Sequence, residues 1–495
     1  MPRAEPPESA SAVRRLGGAA DFARHVGALA RQPRFWWLDS ALPGPPLGRW
    51  SFAGARPYAV VRAFGDRVRV EVLRPVRPDL SPAAQSLRGD PLALLEALVA
   101  TPPADAPSGG DALPFVGGAV GYLGYELARF TEGFAPTGRN DAGLPDAAWL
   151  LVDRGIALDH LEGAAYAFGL GFAAAHGAAH RAAARAVDAL CAELAAAPPG
   201  RDLHGALGPA PPAALGPDSS AHGDFDVASY GKAVERILER IGAGDLYQAN
   251  LTQRLERRFR GDPLRAYEIL RARNPAPFAA YLDLPGATVL SSSPERFLAL
   301  DARGRVESRP IKGTRRREAD PARDRAAARA LADSGKDRAE NLMIVDLVRN
   351  DLGRVCEIGT VHVPELRGIE SYATVHQMVS TVRGVLRPGA GRLDLLRATF
   401  PPGSMTGAPK RAAMVLLDRL EPVRRGPYAG ALGFLDARGG LGLSVVIRAA
   451  LLAGGRAHVH AGGGIVADSD PRAEWEESLD KARAVLAALD EAERR

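Results

Sequence analysis

Of the 63 basic residues in this 495-residue chain, only five are lysines: Lys232, Lys312, Lys336, Lys410 and Lys481. Arginine serves nearly everywhere else that a fixed positive charge suffices. An arginine keeps its proton at any working pH, whereas a lysine in a desolvated or cationic pocket can become a neutral amine and attack carbon. Lys312, within Ser308-Arg-Pro-Ile-Lys-Gly-Thr-Arg315, is the first candidate nucleophile. A buried ion pair is the structural alternative for the same residue.

Three carboxylate groups could work beside it. Glu295 ends Ser292-Ser-Pro-Glu295 between two strand-like runs, which puts it at a strand-to-strand corner. A carboxyl partly buried there has a raised pKa and can protonate a leaving group; a solvated glutamate is the plain alternative. Asp337 and Glu340 project together from a helix over 336–353, whose core stripe is expected at Leu342, Val345 and Leu352. On a last helix over 471–492, Trp475, Leu479, Ala482, Leu486 and Leu489 make the buried stripe, and Glu474, Glu477 and Lys481 share another face. A solvated salt-bridge face explains that run taken alone. Two carboxylate-bearing helices could instead share Mg²⁺, which takes one or two carboxylates with water and substrate oxygens.

Two turns offer backbone. Phe400-Pro-Pro-Gly-Ser-Met-Thr-Gly-Ala-Pro-Lys410 leads into a helix over 408–420, where Ser404, Thr406, Gly407 and free N–H groups suit a carboxylate. Ala461-Gly-Gly-Gly-Ile465 follows a strand and lets backbone approach a ligand. Neither has the Gly-Lys-Ser/Thr ending of a Walker loop. Arg448, after Leu443-Ser-Val-Val-Ile, could hold a second carboxylate bidentately. Together these groups describe a site for a dicarboxylic acid that loses a hydroxyl with acid assistance.

The elements that must position them follow from periodicity. Strand runs are expected at 58–64, 67–73, 278–284, 287–291, 296–300, 428–436, 441–452 and 456–461. Helices are expected at 173–197 and 322–333, and in a helix with Tyr230, Val234, Ile237 and Ile241 on one face, stopped at Gly242–Gly244. Strands and helices mixed without regular alternation predict an α+β fold with large antiparallel sheets. Residues 101–112 read as a loop. The Pro/Gly/Ala-rich stretch 201–224 reads as a linker between an N-terminal region, 1–200, and a catalytic domain, 225–495.

Composition excludes several classes. The net charge of +5 comes from scattered arginines without a basic patch, which disfavours nucleic acid. Two cysteines, Cys191 and Cys356, cannot build a disulfide framework or cysteine metal cluster, and they suggest a reducing, cytoplasmic setting. No apolar run is long enough to span a membrane, and no signal peptide is evident.

Five segments are very specific in combination: Ser-Ser-Pro-Glu-Arg-Phe at 292–297, Pro-Ile-Lys-Gly-Thr-Arg at 310–315, Arg-Ala-Glu-Asn-Leu-Met-Ile-Val-Asp-Leu-Val-Arg-Asn-Asp-Leu at 338–352, Gly-Ser-Met-Thr-Gly-Ala-Pro-Lys at 403–410 and Ala-Gly-Gly-Gly-Ile-Val at 461–466. They closely resemble the chorismate-utilising enzymes: the large subunit of anthranilate synthase, component I of aminodeoxychorismate synthase, isochorismate synthase and salicylate synthase. The resemblance runs from about 225 to 490. It is sparser at Trp37-Leu-Asp-Ser-Ala41, Gly48-Arg-Trp-Ser-Phe52 and Gly117-Gly-Ala-Val-Gly-Tyr-Leu-Gly-Tyr-Glu126. It implies a four-layer α/β/β/α arrangement around two antiparallel sheets.

Carried onto this chain, the resemblance makes Glu340, Glu477 and Glu474 the Mg²⁺ ligands, with Asp337 nearby, and Glu295 the general acid. Ser404, Thr406, Gly407, Tyr428, Arg448, Gly462, Gly464 and Lys481 would line the substrate pocket with Gln248 and Gly313. His376 matches a histidine near the ring; read alone it is a core histidine. Isochorismate and salicylate synthases have a lysine base near the position of Gln248, and a glutamine cannot take that proton, so ammonia and not water is the expected nucleophile. Anthranilate synthases look like Pro-Ile-Ala-Gly-Thr at 312, and lysine there marks the aminodeoxychorismate synthases. The expected activity is amination of chorismate to 4-amino-4-deoxychorismate through a Lys312 adduct, toward 4-aminobenzoate and folate. Anthranilate synthase component I and a non-catalytic chorismate-binding protein are the rivals. No Gly-X-Cys-X-Gly segment is present, so ammonia is expected from a separate glutamine amidotransferase subunit or from solution. Asp39, Ser40, Trp50 and Ser51 resemble the tryptophan-binding region of anthranilate synthase, with Asp39 replacing the usual glutamate.

Overall fold

Alternation of apolar and polar residues sets the strands. In Arg67–Val72 the side chains of Val68 and Val70 are buried while Arg67 and Arg69 are exposed, as a half-buried strand requires. The computed structural model describes residues 7–44, 47–81, 84–99, 113–198, 203, 221–372 and 375–494. The loop expected at 101–112 and most of the linker expected at 201–224 lie outside the described residues.

Among the described residues two antiparallel sheets, each of twelve strands, form the centre. In the first, Trp36–Asp39 pairs with Phe278–Leu284, followed by Ala287–Ser293, Ala449–Ala453, Arg456–Ile465 and Gln248–Arg258. In the second, Ile311–Arg316 lies beside Val375–Val385, followed by Arg305–Arg309, Arg296–Leu300, Leu441–Val445, Ala431–Asp436 and Gly118–Leu123. Both sheets therefore mix strands from the two halves of the sequence.

Helices cover the outer faces, giving the α+β architecture that the mixed pattern predicts. Pro471–Glu493, Val227–Gly242, Pro263–Arg273 and His176–Ala196 pack on the first sheet; Gly335–Gly353 and Pro321–Asp333 pack on the second. An aromatic core that includes Trp36, Phe52, Phe115, Phe168, Leu282 and Leu432 is buried among strands of both sheets. Each fully buried side chain of this size contributes roughly 1.5–3 kcal/mol, so this seam binds the two sheets strongly.

Several boundaries differ from the sequence pattern. The run 441–452 is not one strand: it breaks at Val446–Arg448 into Leu441–Val445 of the second sheet and Ala449–Ala453 of the first. Apolarity continues through the break because both flanks are buried, so the pattern alone could not show it. Strand 428–436 begins at Ala431, and the last helix of the 408–420 region begins at Lys410. Leu342 is exposed; the buried stripe of its helix runs through Asn341, Ile344, Val345, Val348 and Leu352. The helix is turned so that its inward face carries a polar asparagine, whose Oδ1 accepts from Ser380 at 2.5 Å.

Candidate active site

Two chain crossings between the sheets position the acid and the arginine. The chain leaves the first sheet at Ser293, turns at Pro294–Glu295 and enters the second at Arg296. Arg448 stands at the neighbouring crossing, with φ +52° where a non-glycine residue is uncommon. The crossings are laced together: Val445 N–H donates to the Glu295 carbonyl at 3.0 Å, and Ser292 N–H to the Arg448 carbonyl at 3.1 Å. Glu295 is buried, and desolvation pushes its carboxyl up to about 7. Hydrogen bonds from the Ser404 hydroxyl and Ile311 N–H, together with Lys312, pull the other way without cancelling burial. A carboxyl so placed exchanges its proton near neutrality.

Lys312 sits on a bulge. Pairing with the adjacent strand shifts between Ile311 and Thr314, and Gly313 between them has φ +86°. A Cβ at Gly313 would also come within 2.9 Å of the Asp337 side chain, so only glycine fits. The bulge re-aims Lys312 out of the sheet's alternation. Its amine lies 3.3 Å from where a Cβ on Gly464 would stand, with Gln248 Nε2 2.2 Å from the same point. Lys312, Gln248 and the glycine strand thus converge. Burial lowers the Lys312 pKa; Lys481 adds to the lowering, and Glu340, Glu295 and Glu477 oppose it.

Gln248 is fully buried, and neither its amide nitrogen nor its oxygen has a hydrogen-bond partner among the described residues. Buried amides are nearly always satisfied, so a bare one aimed at this recess points to a ligand or water. Arg448 likewise makes no ion pair with a carboxylate side chain among the described residues, and burial pushes its guanidinium below the ordinary value. Tyr428 is buried and raised to about 12 by that burial; its ring stacks on His460 at 5.3 Å.

The carboxylates gather on the opposite side. A Cβ at Gly463 would stand 3.0 Å from Glu474 Oε2, 3.6 Å from Lys481 Nζ and 3.9 Å from Glu477 Oε1. Glu474 is buried, where the salt-bridge alternative would leave it solvated, and accepts from Ser469 at 2.7 Å. Burial, and Glu477 with it, raises its pKa. Glu340 is half-buried and raised by burial, with Asp337 and Glu474 adding to the effect. Glu477 is exposed and lowered, first by Lys481, its ion-pair partner at 2.7 Å. Lys481 also donates to the Gly462 carbonyl at 2.9 Å. Among the described residues no three His, Cys, Asp or Glu side chains close into a metal cage. Mg²⁺ needs no such cage: one or two protein carboxylates with water suffice.

In the turn before Lys410, Met405 and Thr406 spend their N–H groups on Pro402 and Gly403 carbonyls at 3.0 and 3.3 Å. Those two are therefore not free for a carboxylate, a correction to the sequence expectation. Thr406 is fully buried, and its carbonyl accepts from Asn250 at 2.8 Å. Gly407 pairs with Ala249, so the turn is stitched to the strand that carries Gln248. From this turn the Ser404 hydroxyl bonds to Glu295.

His376 is not drawn into this group by any hydrogen bond or ion pair among the described residues. Its Nδ1 meets Ser371 Oγ at 2.7 Å and its Nε2 meets Asp324 Oδ1 at 3.0 Å, so both nitrogens are occupied. Asp337 accepts from Arg315 at 2.8 Å, so that carboxylate oxygen is already engaged.

The Asp39 group lies apart. Asp39, Ser40 and Trp50 line a cavity of about 1,080 Å³ with Phe52, Phe278 and Phe434. Asp39 itself is buried and satisfied by Arg271 at 2.7 Å and Tyr267 at 3.3 Å, with Ser51 at 3.5 Å. Ser40 donates to the Trp50 carbonyl at 2.8 Å, and Ser51 Oγ meets His160 Nε2 at 2.8 Å.

Sequence reasoning missed the buried residues Arg425, Asn250 and His460, and gave Lys410 no role. Lys410, like Lys312, was visible as a rare lysine; it pairs with Asp351 at 2.6 Å and donates to the Thr399 carbonyl, closing the ends of the Ser404 turn.

The family model for the chorismate binding enzyme matches residues 41–487. The chain is 44% identical to an aminodeoxychorismate synthase of Streptomyces pristinaespiralis over 95% of its own length and 64% of that protein's. It is 42% identical to anthranilate synthase component 1 of Streptomyces coelicolor, over 82% of this chain and 78% of that one. The crystal structure of anthranilate synthase component I from Streptococcus pneumoniae superposes with a TM-score of 0.72 at 27% identity, covering 90% of this chain and 93% of that chain. The chain spans just under two thirds of the length of the two Streptomyces aminodeoxychorismate synthases it matches, 64% and 61%. The two kinds of relative are separated by only two percentage points of identity, which does not choose between them. The chain belongs to the chorismate-binding enzyme family, in the branch that holds the component I proteins of anthranilate synthase and aminodeoxychorismate synthase.

Proposed function

We propose that this protein aminates chorismate at C4, giving 4-amino-4-deoxychorismate. The observation that carries the reading is Lys312: an amine held beside Gln248 and the Gly462–Gly464 strand, its pKa lowered by burial, with an acid of pKa about 7 in the same electrostatic group. The neutral Lys312 amine bonds to ring carbon C2, both ring double bonds shift (C1=C2 to C1=C6 and C5=C6 to C4=C5), and the C4 hydroxyl leaves with the Glu295 proton as water. Ammonia then bonds to C4, both double bonds shift back, the Lys312–C2 bond breaks to release the neutral amine, and the proton shed by the incoming nitrogen returns to Glu295. Nitrogen ends para to the carboxylate. The tethered amine gains effective molarity over a free nucleophile.

The Arg448 guanidinium, which meets no carboxylate side chain among the described residues, suits a substrate carboxylate. Glu340, Glu474 and Glu477 would hold Mg²⁺, which when bound neutralises carboxylate charge on the substrate. Lys481 holds the Gly462 backbone in place. Gln248 cannot serve as a base toward water. A glutamine amidotransferase, as a partner or as further chain, is the proposed source of ammonia. Among the described residues no helix is long and apolar enough to cross a membrane.

The second reading, anthranilate synthesis, has the similarity to anthranilate synthase component 1 in its favour. There ammonia enters at C2 directly and nitrogen ends ortho. Incubating the purified chain with chorismate, Mg²⁺ and ammonium, then locating nitrogen on the product ring, separates the two: para supports the first, ortho the second.

A further inference from the structure

We propose that Arg425 is a positioning residue: from behind the pocket its guanidinium ties the turn bearing Ser404 to the strand bearing Gln248 and fixes their separation. This rests on the reading of Glu295, Ser404 and Gln248 as the substrate pocket.

Arg425 is 2% exposed and among the largest fully buried side chains. Its Nη1 donates to the Met405 carbonyl at 2.7 Å, and its Nη2 to the Asn250 carbonyl at 2.8 Å. Nε and Nη2 make a two-point pair with Glu421 at 2.8 and 2.6 Å, and the guanidinium lies 4.3 Å over the Tyr125 ring. Glu421 Oε1 also accepts from Thr252 N–H at 3.0 Å. Met405 follows Ser404 directly. Asn250 lies two residues beyond Gln248, on the same face of the strand. Two hydrogen bonds zip turn to strand, Asn250 N–H to the Thr406 carbonyl and Tyr247 N–H to the Ala408 carbonyl, each at 2.8 Å. Arg425 clamps the same two segments from the side.

A planar fork with fixed donor directions can serve three acceptors at once; an ammonium on a flexible stem cannot reproduce it. The alternative is a buried cation that only holds the fold. The molecule supplies its own comparator in Arg392, also 2% exposed, which donates to the Asp436 and Gly440 carbonyls and pairs with Glu96, holding no segment of the pocket.

The full chain is compared as Arg425→Lys, Arg392→Lys, Ser404→Ala and the Arg425→Lys/Ser404→Ala double variant. Glu421→Gln, which keeps the arginine but weakens its pair, stands in if Arg425→Lys does not fold. Hydrogen exchange is expected to quicken at 247–252 and 403–408 in Arg425→Lys and not in Arg392→Lys. With chorismate, Mg²⁺ and ammonium, Arg425→Lys loses about 100-fold in kcat/KM, as a displacement near 1 Å would give, while Arg392→Lys stays near wild type. The pH limb from Glu295 moves upward in Arg425→Lys as in Ser404→Ala, because the Ser404 hydrogen bond holds that carboxyl down. The double variant loses less than the two single losses combined. Exchange unchanged in those two segments, or kinetics of Arg425→Lys matching Arg392→Lys, overturns the assignment. If the wild type leaves chorismate untouched, the functional reading fails on its own, and the exchange comparison still decides Arg425.

Discussion

Around Asp39 the buried polar groups are spent on one another: Arg271, Tyr267 and Ser51 close on the carboxylate, and Ser40 on backbone carbonyls. Around Lys312 they are not. Gln248 keeps a bare amide, Arg448 faces no carboxylate partner among the described residues, and Glu340 and Glu474 crowd one another with raised pKa values. Both regions are buried and polar, so burial alone distinguishes nothing. A satisfied cluster contributes to stability, because removing one member strands the others. An unsatisfied one costs stability and signals groups reserved for something that is not protein.

Four substitutions sharpen or break that contrast. Lys312→Ala is expected to lower para-amination about 1,000-fold or more by removing the tethered nucleophile, read from product formation at saturating ammonium. Traces of ortho product in that variant would agree with direct attack at C2. Asp39→Ala strands the Arg271 guanidinium, which also lies over Trp37 at 4.7 Å. A loss of about 3–5 kcal/mol in urea unfolding is expected; a loss under about 1 kcal/mol would mean the cluster is not coupled as described.

Glu295→Gln sharpens the contrast from the other side. The folded carboxyl titrates at about 7 and the free one near 4.5. Between those values the folded state binds more protons than the unfolded, so wild-type stability falls as pH rises from about 4.5 to 7. Removing the charge lifts that penalty, and at pH 8 the variant should be more stable by about 1–3 kcal/mol, while kcat falls about 100-fold or more. A variant less stable than wild type at pH 8 would contradict the raised pKa. Smallest is Gln248→Leu: a bare buried amide is lost, so stability should hold or rise by about 1 kcal/mol, while the KM for chorismate rises about tenfold. Calorimetry with parallel kinetics reads both.

Much of this arrangement was legible beforehand because it is local. Glu295 at a strand corner, the helices bearing Glu340 and Glu477, and the glycine strand follow from short-range periodicity and turn chemistry, and the motifs carried the two-sheet architecture. The misses share one cause: they depend on which sheet a segment joins. Val446–Arg448 reads as continuous strand because a crossing between two buried sheets is as apolar as the strands themselves. Leu342 looks like core until the sheet behind its helix sets the rotation. Arg425, in Glu421-Pro-Val-Arg-Arg-Gly-Pro-Tyr428, has no distinguishing spacing; only the three-dimensional meeting of Met405, Asn250 and Glu421 singles it out. His376 shows the converse, a motif position whose nitrogens are both engaged, by Ser371 and Asp324.

The bond between Lys312 and the ring can be sought directly. The chain is mixed with chorismate and Mg²⁺ without ammonium, quenched within a turnover, and its intact mass and peptides measured. A covalent Lys312 adduct gives an added mass of chorismate less one water on the peptide carrying Lys312, lost when ammonium is restored and absent in Lys312→Ala. An unmodified Lys312 in an enzyme that still makes the para product at full rate would contradict it.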